Sequence, residues 1–155
     1  MRLRMMQFAV AGLERLSGIL PWSRRRRPAG HLLLGRRGED AAYFWLRRHG
    51  YTLVARNWRS PHGHGEVDLV GWNERVLCFI EVKTRSRRAF VPAEAAVDGE
   101  KQRRLREVAH DYYRRMGHGC ECRFDVVSVY LEPGQAAAVE LIRDAFKYGS
   151  PAIFD

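Results

Sequence analysis

The sequence predicts an α/β fold in which a mixed sheet of four to five strands is flanked by helices. Two observations support this prediction. Apolar β-forming runs and amphipathic helical segments follow one another in the order helix, three strands, helix, then one or two strands, which indicates a mixed sheet covered by helices. The chain has 155 residues and 46% hydrophobic content, enough for one domain with its own core.

The positive charge of the chain is concentrated near its start. The formal net charge is +9, and residues 1–30 contribute +6 of it through seven arginines and one glutamate. We predict that 1–30 is a basic N-terminal extension and that 31–155 is the folded domain. A poorly ordered extension, an amphipathic helix at a membrane surface and a basic arm that binds nucleic acid all stay open. The apolar stretch is too short to span a bilayer, so a transmembrane segment is not expected, and a poorly ordered extension is favoured over a membrane partner.

The domain is predicted to open with a helix over Gly35–Arg48, which Gly50 ends. Glu39 lies in the opening turn of this predicted helix. It shares a helical face with apolar residues three, four and seven positions later, which would direct it toward the core and a functional site. The alternative is that Glu39 only stabilises the positive end of the helix dipole.

A strand is predicted over Tyr51–Trp58, because this segment is rich in β-forming residues. The Pro, Gly and His residues of 60–65 then predict a flexible loop. Its two histidines, His62 and His64, are candidates for a metal ligand or a general base, whereas a mobile loop tip is the simpler interpretation.

The most informative stretch is a predicted β-hairpin over residues 65–83, with 71–75 as its loop. Asp68, Glu81 and Lys83 lie in these otherwise apolar strands, where an unpaired charge is costly. Side chains two apart on a strand point to the same face, so Glu81 and Lys83 project together. Asp68, on the paired strand, can reach that face.

Two carboxylates at the end of a sheet form a hard oxygen site that suits Mg²⁺ or Mn²⁺. A neighbouring ammonium group can stabilise a hydroxide or the charge that develops on a phosphate. The pattern therefore outlines a site for phosphodiester hydrolysis. The alternative is a solvated ion pair between Glu81 and Lys83.

Basic and polar residues follow the hairpin. The segment 84–88 contains hydroxyl and guanidinium groups, which are usual partners of nucleic-acid phosphates, although a solvated basic loop has the same composition. A second helix is predicted to run from the N-cap Asp98 to Met116. Lys101 precedes the buried Leu105 by one turn, so its side chain either points toward the sheet or extends to solvent at the helix end.

The last predicted elements are a strand over Arg123–Leu131 and a short strand over 139–142, with a tail from Asp144 onward. The three cysteines of the chain cannot all pair, and Cys78 lies in an apolar strand where a buried thiol is expected. A reducing cytoplasm is therefore the expected compartment.

A series of short segments resembles, in order, the motifs of the bacterial YraN family. The resemblance covers about residues 35–146. The matching segments are Gly35–Ala42, Gly50–Tyr51, Ala55–Trp58, Gly65–Val70, Phe79–Arg85, Pro92–Val97, Lys101–Leu105 and Arg123–Val127.

Such proteins are similar to restriction-endonuclease-like nucleases and, distantly, to archaeal Holliday-junction resolvases. The resemblance implies a restriction-endonuclease-like mixed sheet of four to five strands. It also implies an endonuclease that uses Mg²⁺ or Mn²⁺ to hydrolyse DNA, with branched or single-stranded DNA as candidate substrates. Resolvase-like enzymes commonly act as symmetric dimers, so a homodimer is a further expectation.

The resemblance also implies roles for particular residues. The expected catalytic residues are Glu39, Asp68, Glu81, Lys83 and Lys101. The expected metal ligands are Glu39, Asp68, Glu81 and the carbonyl of Val82. From the basic and polar chemistry of their segments, rather than from the resemblance, the expected nucleic-acid contacts are Arg85, Arg87, Arg88, Gln102, Arg103 and Arg104. The main alternative is a non-catalytic nucleic-acid-binding module of a DNA-processing complex; a membrane-associated basic protein that uses residues 1–27 is a third.

Overall fold

The computed structural model of the chain describes residues 29–86, 97–116 and 119–148. The elements within these residues are α1 (Ala29–Arg48), β1 (Tyr51–Arg59), β2 (Glu66–Asn73), β3 (Val76–Arg85), α2 (Gly99–Met116), β4 (Glu121–Tyr130) and β5 (Ala138–Phe146). The predicted fold class is confirmed, because two helices flank a mixed five-stranded sheet. Arg87, Arg88 and all but the last two residues of the predicted extension lie outside the described residues.

The five strands lie in the sheet in chain order, from β1 to β5. Three of the four neighbouring pairs are antiparallel, and only β3 and β4 run parallel. A parallel pair needs a crossover, which α2 provides here. As a result, β1 and β3 end and β2 and α2 begin at the same end of the sheet.

Each helix covers one face of the sheet, and successive side chains of β3 alternate between the two cores. Phe79 belongs to the core beneath α2, together with Phe124 and Tyr112. Ile80 belongs to the core beneath α1, together with Leu46. Burial of each large apolar side chain contributes about 2 kcal/mol. A shift of one residue would exchange the two faces, so the cores fix the register and place Glu81 on the α2 side.

The structure corrects two predicted boundaries around the strands. Asn73 pairs with Val76, so the hairpin loop has two residues rather than the predicted five of 71–75. Glu74 in this loop has a positive φ of 57°, as tight turns between antiparallel strands require. Residues from Asp144 onward do not begin a tail, because β5 continues to Phe146, whose ring stacks on Phe124 at 4.5 Å.

The first helix begins at Ala29, six residues before the predicted start at Gly35. The glycines in this region lower helix propensity, so the first two turns of α1 could not be predicted from the sequence. Glu39 is therefore the eleventh residue of α1, and its first turn contains no acidic residue. The prediction that Glu39 lies in the opening turn is wrong, and the helix dipole does not explain its presence, since that effect is confined to the first turn.

Gly38 allows α1 to approach β3 closely. It is buried, and a Cβ atom added there would lie 1.9 Å from Thr84 Oγ1 and 2.8 Å from Thr84 Cβ. No rotation of the Thr84 side chain relieves the contact with its own Cβ. Any side chain at residue 38 must therefore push the helix away from the strand, and Glu39 with it.

Substitutions at two glycines of α1 should have opposite effects on stability. Gly38→Ala should lower the free energy of unfolding by about 1–3 kcal/mol, because of the overlap with Thr84. Gly35→Ala should leave it unchanged or raise it by up to about 1 kcal/mol, since nothing lies within 4 Å of its added Cβ and alanine favours the helix. Urea denaturation measures both; equal effects would contradict the close packing at Gly38.

Candidate active site

Asp68 and Glu81 lie next to each other where β2 and β3 separate. Each is one residue beyond the last register pair of the two strands, Leu69 and Ile80. The Oδ2 atom of Asp68 accepts a hydrogen bond of 2.7 Å from the backbone N–H of Val82. The carboxylate of Asp68 therefore lies against the backbone of the strand that carries Glu81.

The carboxylate of Glu81 is buried and receives two ammonium groups. Lys83 Nζ lies 2.9 Å and Lys101 Nζ lies 3.2 Å from the same atom, Glu81 Oε1. Lys83 comes from the same strand two residues later, and Lys101 comes from the first turn of α2, so Lys101 points toward the sheet. Glu81 is only 5% exposed, which rules out the solvated ion pair that was the alternative for Glu81 and Lys83.

The second oxygen of Glu81 has no partner among the described residues. Glu81 Oε2 is buried and accepts no hydrogen bond. A buried charged oxygen without a donor is costly and marks either strain or a missing ligand. Because both lysines bind Oε1, Oε2 is the atom that is free to bind a cation.

Asp68 has a strongly perturbed pKa. Burial of the carboxyl, followed by the negative charge of Glu81 and a smaller contribution from Glu39, raises the pKa of Asp68 to about 7. The N–H of Val82 and the charge of Lys101 oppose this increase. Loss of the Asp68 proton beside Glu81 is therefore unfavourable, and a bound cation would compensate the charge that results.

Glu39 approaches the same site from α1. Its Oε2 atom accepts a hydrogen bond of 3.2 Å from the side-chain amide of Asn57 on β1. The next residue of the helix, Asp40, forms an ion pair with Arg56 at 2.5 Å. These two contacts hold the middle of α1 against the edge of the sheet. The charge of Glu39 makes a small contribution to the raised pKa of Asp68.

The donors at this end of the sheet suit a small, hard divalent cation. Within 29–86, 97–116 and 119–148, no three side chains of His, Cys, Asp or Glu are arranged as a group that could hold a metal ion. Mg²⁺ does not need three such side chains, because it keeps several waters and binds through one or two carboxylates. Asp68 and the free Oε2 of Glu81 supply such a pair, and the unpartnered oxygen is the observation that supports the fit.

The residues predicted to contact nucleic acid lie in different environments. Arg103 and Arg104 are exposed on α2 and form ion pairs with Glu107 and Glu100 on the same helix. Gln102 is turned inward, since its amide donates to the carbonyl of Val97 at 3.0 Å and its oxygen accepts from Arg106 at 3.2 Å. Arg85 ends β3, and its Nε atom is buried without a partner in the described residues.

The histidine loop does not face the carboxylates. His64 Nδ1 lies 2.8 Å from Asp111 Oδ2 on α2, and Ser60 Oγ donates a hydrogen bond to the same oxygen. These bonds lower the pKa of Asp111 despite its burial. The contact between Ser60 and Asp111 carries no signal in the sequence, because 51 positions separate the two residues and neither belongs to a local motif.

A second buried carboxylate shows how this fold satisfies a structural charge. Asp125 is fully buried, and both of its oxygens are hydrogen-bonded. The donors are Tyr51 Oη at 2.9 Å, Arg123 Nε at 2.9 and 3.1 Å, and the N–H of Asp144 at 2.9 Å. Glu81 differs, because one of its oxygens has no such donor, and this contrast separates a functional candidate from a structural carboxylate.

The fold and the cluster of carboxylates and lysines define the class of protein: an α/β protein with a candidate divalent-cation site at one end of a mixed sheet. The chain belongs to the uncharacterised protein family UPF0102, the YraN family, whose model matches residues 38–129. The expected family membership is thereby confirmed.

Several relatives extend over most of the chain. A UPF0102 protein of Koribacter versatilis is 51% identical over 116 residues, which cover 75% of this chain and 80% of that protein. A UPF0102 protein of Solibacter usitatus is 50% identical over 124 residues, covering 79% and 90%. A UPF0102 protein of Rhodococcus jostii is 42% identical over 119 residues, covering 76% and 99%.

The solved structure of Hjc, a Holliday junction resolvase from Archaeoglobus fulgidus, aligns with 68% of this chain and 70% of its own. It is 20% identical and has a TM-score of 0.39, a level that supports no conclusion about this chain. No helix in the described part of the chain is long and apolar enough to cross a membrane.

The raised pKa of Asp68 predicts a pH-dependent stability. The pKa is about 7 in the folded protein against 3.8 for the free side chain, so between these values the folded state binds more protons than the unfolded state. The free energy of unfolding should therefore fall as the pH rises through this interval, and the decrease should be complete above pH 7. Asp68→Asn removes this decrease and keeps an oxygen for the Val82 N–H.

We compare the free energies of unfolding of Asp68→Asn and wild type in the presence of a chelator. The difference in favour of Asp68→Asn should increase by about 2 kcal/mol from pH 5 to pH 8. Urea denaturation at both pH values measures this difference. Glu66→Gln, an exposed carboxylate two residues earlier, serves as the matched control and should show no such gain. An Asp68→Asn variant with the pH dependence of wild type would contradict the raised pKa.

Proposed function

We propose that the protein is a metal-dependent endonuclease that hydrolyses phosphodiester bonds of DNA, with branched DNA as a candidate substrate. One observation carries this proposal: buried Glu81 shares one oxygen between two lysines and has no partner for the other, while Asp68 accepts a hydrogen bond from the N–H of the next residue, Val82. A purely structural ion pair would have no reason to leave the second oxygen of Glu81 unbonded. Cations and phosphates, by contrast, need a site that has both carboxylates and ammonium groups.

The carboxylates would hold the cation. Asp68 and Glu81 Oε2 are the proposed side-chain ligands, the carbonyl of Val82 is a backbone ligand, and Glu39 binds directly or through water. A bound Mg²⁺ or Mn²⁺ supplies Lewis acidity and lowers the pKa of a coordinated water. Asp68 must lose its proton to bind, so its raised pKa predicts weaker binding below neutral pH.

The two lysines act on the phosphate and the attacking water. Lys83 and Lys101 both lie beside Glu81 Oε1, at 2.9 and 3.2 Å, and approach it from different elements. Lys83 would orient the nucleophile, and Lys101 would offset the charge that develops on the phosphate oxygens. Both ammonium groups are about one-third exposed, so a substrate can reach them.

The surface around the site would bind the DNA backbone. Arg103 and Arg104 are exposed on α2 and can exchange their glutamate partners for phosphates, and Arg85 ends the strand that carries Glu81. Arg87, Arg88 and Gln102 are the remaining proposed contacts. The contribution of Gln102 would be indirect, because its amide is already hydrogen-bonded to Val97 and Arg106. A homodimer is proposed as the acting form.

We also propose the cytoplasm as the compartment. The three cysteines are all free thiols in the structure, as a reducing compartment predicts. Burial raises the pKa of Cys78 to about 12, so this thiol is expected to be inert there.

Cleavage assays test the proposed activity. Purified protein mixed with branched, single-stranded and duplex DNA should give products in Mg²⁺ or Mn²⁺ and none in a chelator. Asp68→Asn and Glu81→Gln should each lower the cleavage rate by at least about 100-fold, because each removes a charged ligand. Glu66→Gln should cleave at the rate of wild type.

Two outcomes would contradict the proposal. Equal cleavage by wild type and Asp68→Asn would exclude this site. Salt-dependent DNA binding by wild type without any metal-dependent product would instead support the alternative, a non-catalytic nucleic-acid-binding module.

A further inference from the structure

Asn57 has an unusual backbone conformation for a residue inside a strand. It lies within β1 and has a φ of 48°, in the left-handed region. This conformation raises the energy of residues other than glycine, although asparagine tolerates it better than most. Such strain persists only where surrounding contacts impose the conformation, and it is common at functional sites.

The register of the sheet places Asn57 opposite Asp68. Arg56 pairs with Leu69 and Trp58 pairs with Val67, so the residue between them on β1 faces the residue between them on β2. The left-handed turn of the backbone directs the side chain of Asn57 out of the regular pleat and toward α1. There its Nδ2 donates to Glu39 Oε2 at 3.2 Å.

This contact joins α1 to β1, next to the strand that carries Asp68. Glu39 comes from α1, Asn57 from β1 and Asp68 from β2, and the adjacent ion pair of Arg56 with Asp40 ties the helix to the same strand. Glu39 is not on the strands that carry the other carboxylates, so without a tether its flexible side chain could adopt many rotamers in solvent. The hydrogen bond from Asn57, whose backbone faces that of Asp68, limits these rotamers.

We propose that Asn57 is a positioning residue that holds the carboxylate of Glu39 toward Asp68, so that Glu39 supplies a third carboxylate to the divalent cation, directly or through water. This inference rests on the proposed function, because it concerns the same site. Asparagine meets both requirements of the position: it tolerates the left-handed backbone, and its neutral amide donates a hydrogen bond without competing for the cation. Aspartate would repel Glu39, and glycine would keep the backbone but lose the donor.

Mn²⁺ binding to the protein without DNA tests this role by calorimetry. Asn57→Gly keeps the left-handed backbone and deletes the amide, so it should weaken Mn²⁺ affinity about tenfold, as is usual when the partner that orients a ligand is lost. Glu39→Gln should weaken it by at least as much. In the Glu39→Gln background, the Asn57→Gly change should add no further loss, because the two residues act as one unit.

Glu74→Gly is the matched control. Glu74 also has a positive φ, of 57°, but it lies in the hairpin loop at the other end of β2. It should bind Mn²⁺ as wild type does. Both glycine variants relax backbone strain at a left-handed residue, but only Asn57→Gly removes an amide that contacts Glu39. A loss of affinity in Asn57→Gly alone is therefore due to the amide.

The outcomes distinguish this inference from the proposed function. Wild-type affinity in Asn57→Gly, or equal losses in the presence and absence of Glu39, would overturn the positioning role and leave the site itself intact. Absence of Mn²⁺ binding by wild type would overturn the proposed function and this inference with it.

Discussion

The structure depends on the compensation of a single buried charge, the carboxylate of Glu81. Its two ammonium partners come from different elements: Lys83 follows on β3, and Lys101 reaches the site only because α2 begins at the end of the sheet where β3 stops. A buried carboxylate that loses a partner is strongly destabilising, so the crossover from β3 to β4 and this ion cluster support one another. The cluster still leaves Glu81 Oε2 unbonded.

Among the described residues, the buried side-chain atoms without a partner are Glu81 Oε2 and Arg85 Nε, both toward the end of β3. Asp125 is as deeply buried as any residue, yet both of its oxygens have donors. At the sheet end, by contrast, burial and the charge of Glu81 raise the pKa of Asp68, and Gly38 brings the helix that carries Glu39 close to β3. Local polar satisfaction is sacrificed where a ligand would restore it, as is typical of functional sites.

The sequence predicted those parts of the site that depend on local periodicity. The two-residue repeat of a strand placed Glu81 beside Lys83, and the helical repeat directed Lys101 toward the sheet. Contacts that depend on how separate elements meet were beyond its reach. Asn57 contacts Glu39 from a strand whose register shifts between Leu53 and Ala55 and whose backbone is left-handed at residue 57. The bond from Ser60 to Asp111 joins a loop to a distant helix turn, and two glycines concealed the start of α1.

A crystal structure of the protein grown with Mn²⁺ would test the central claim most directly, through the anomalous signal of the ion. The account predicts one Mn²⁺ ion at bonding distance, about 2.1 Å for a small hard cation, from an oxygen of Asp68 and from Glu81 Oε2. A map with no anomalous peak between these carboxylates, in which Glu81 keeps both lysine contacts and Oε2 is bonded only to protein groups or water, would contradict it.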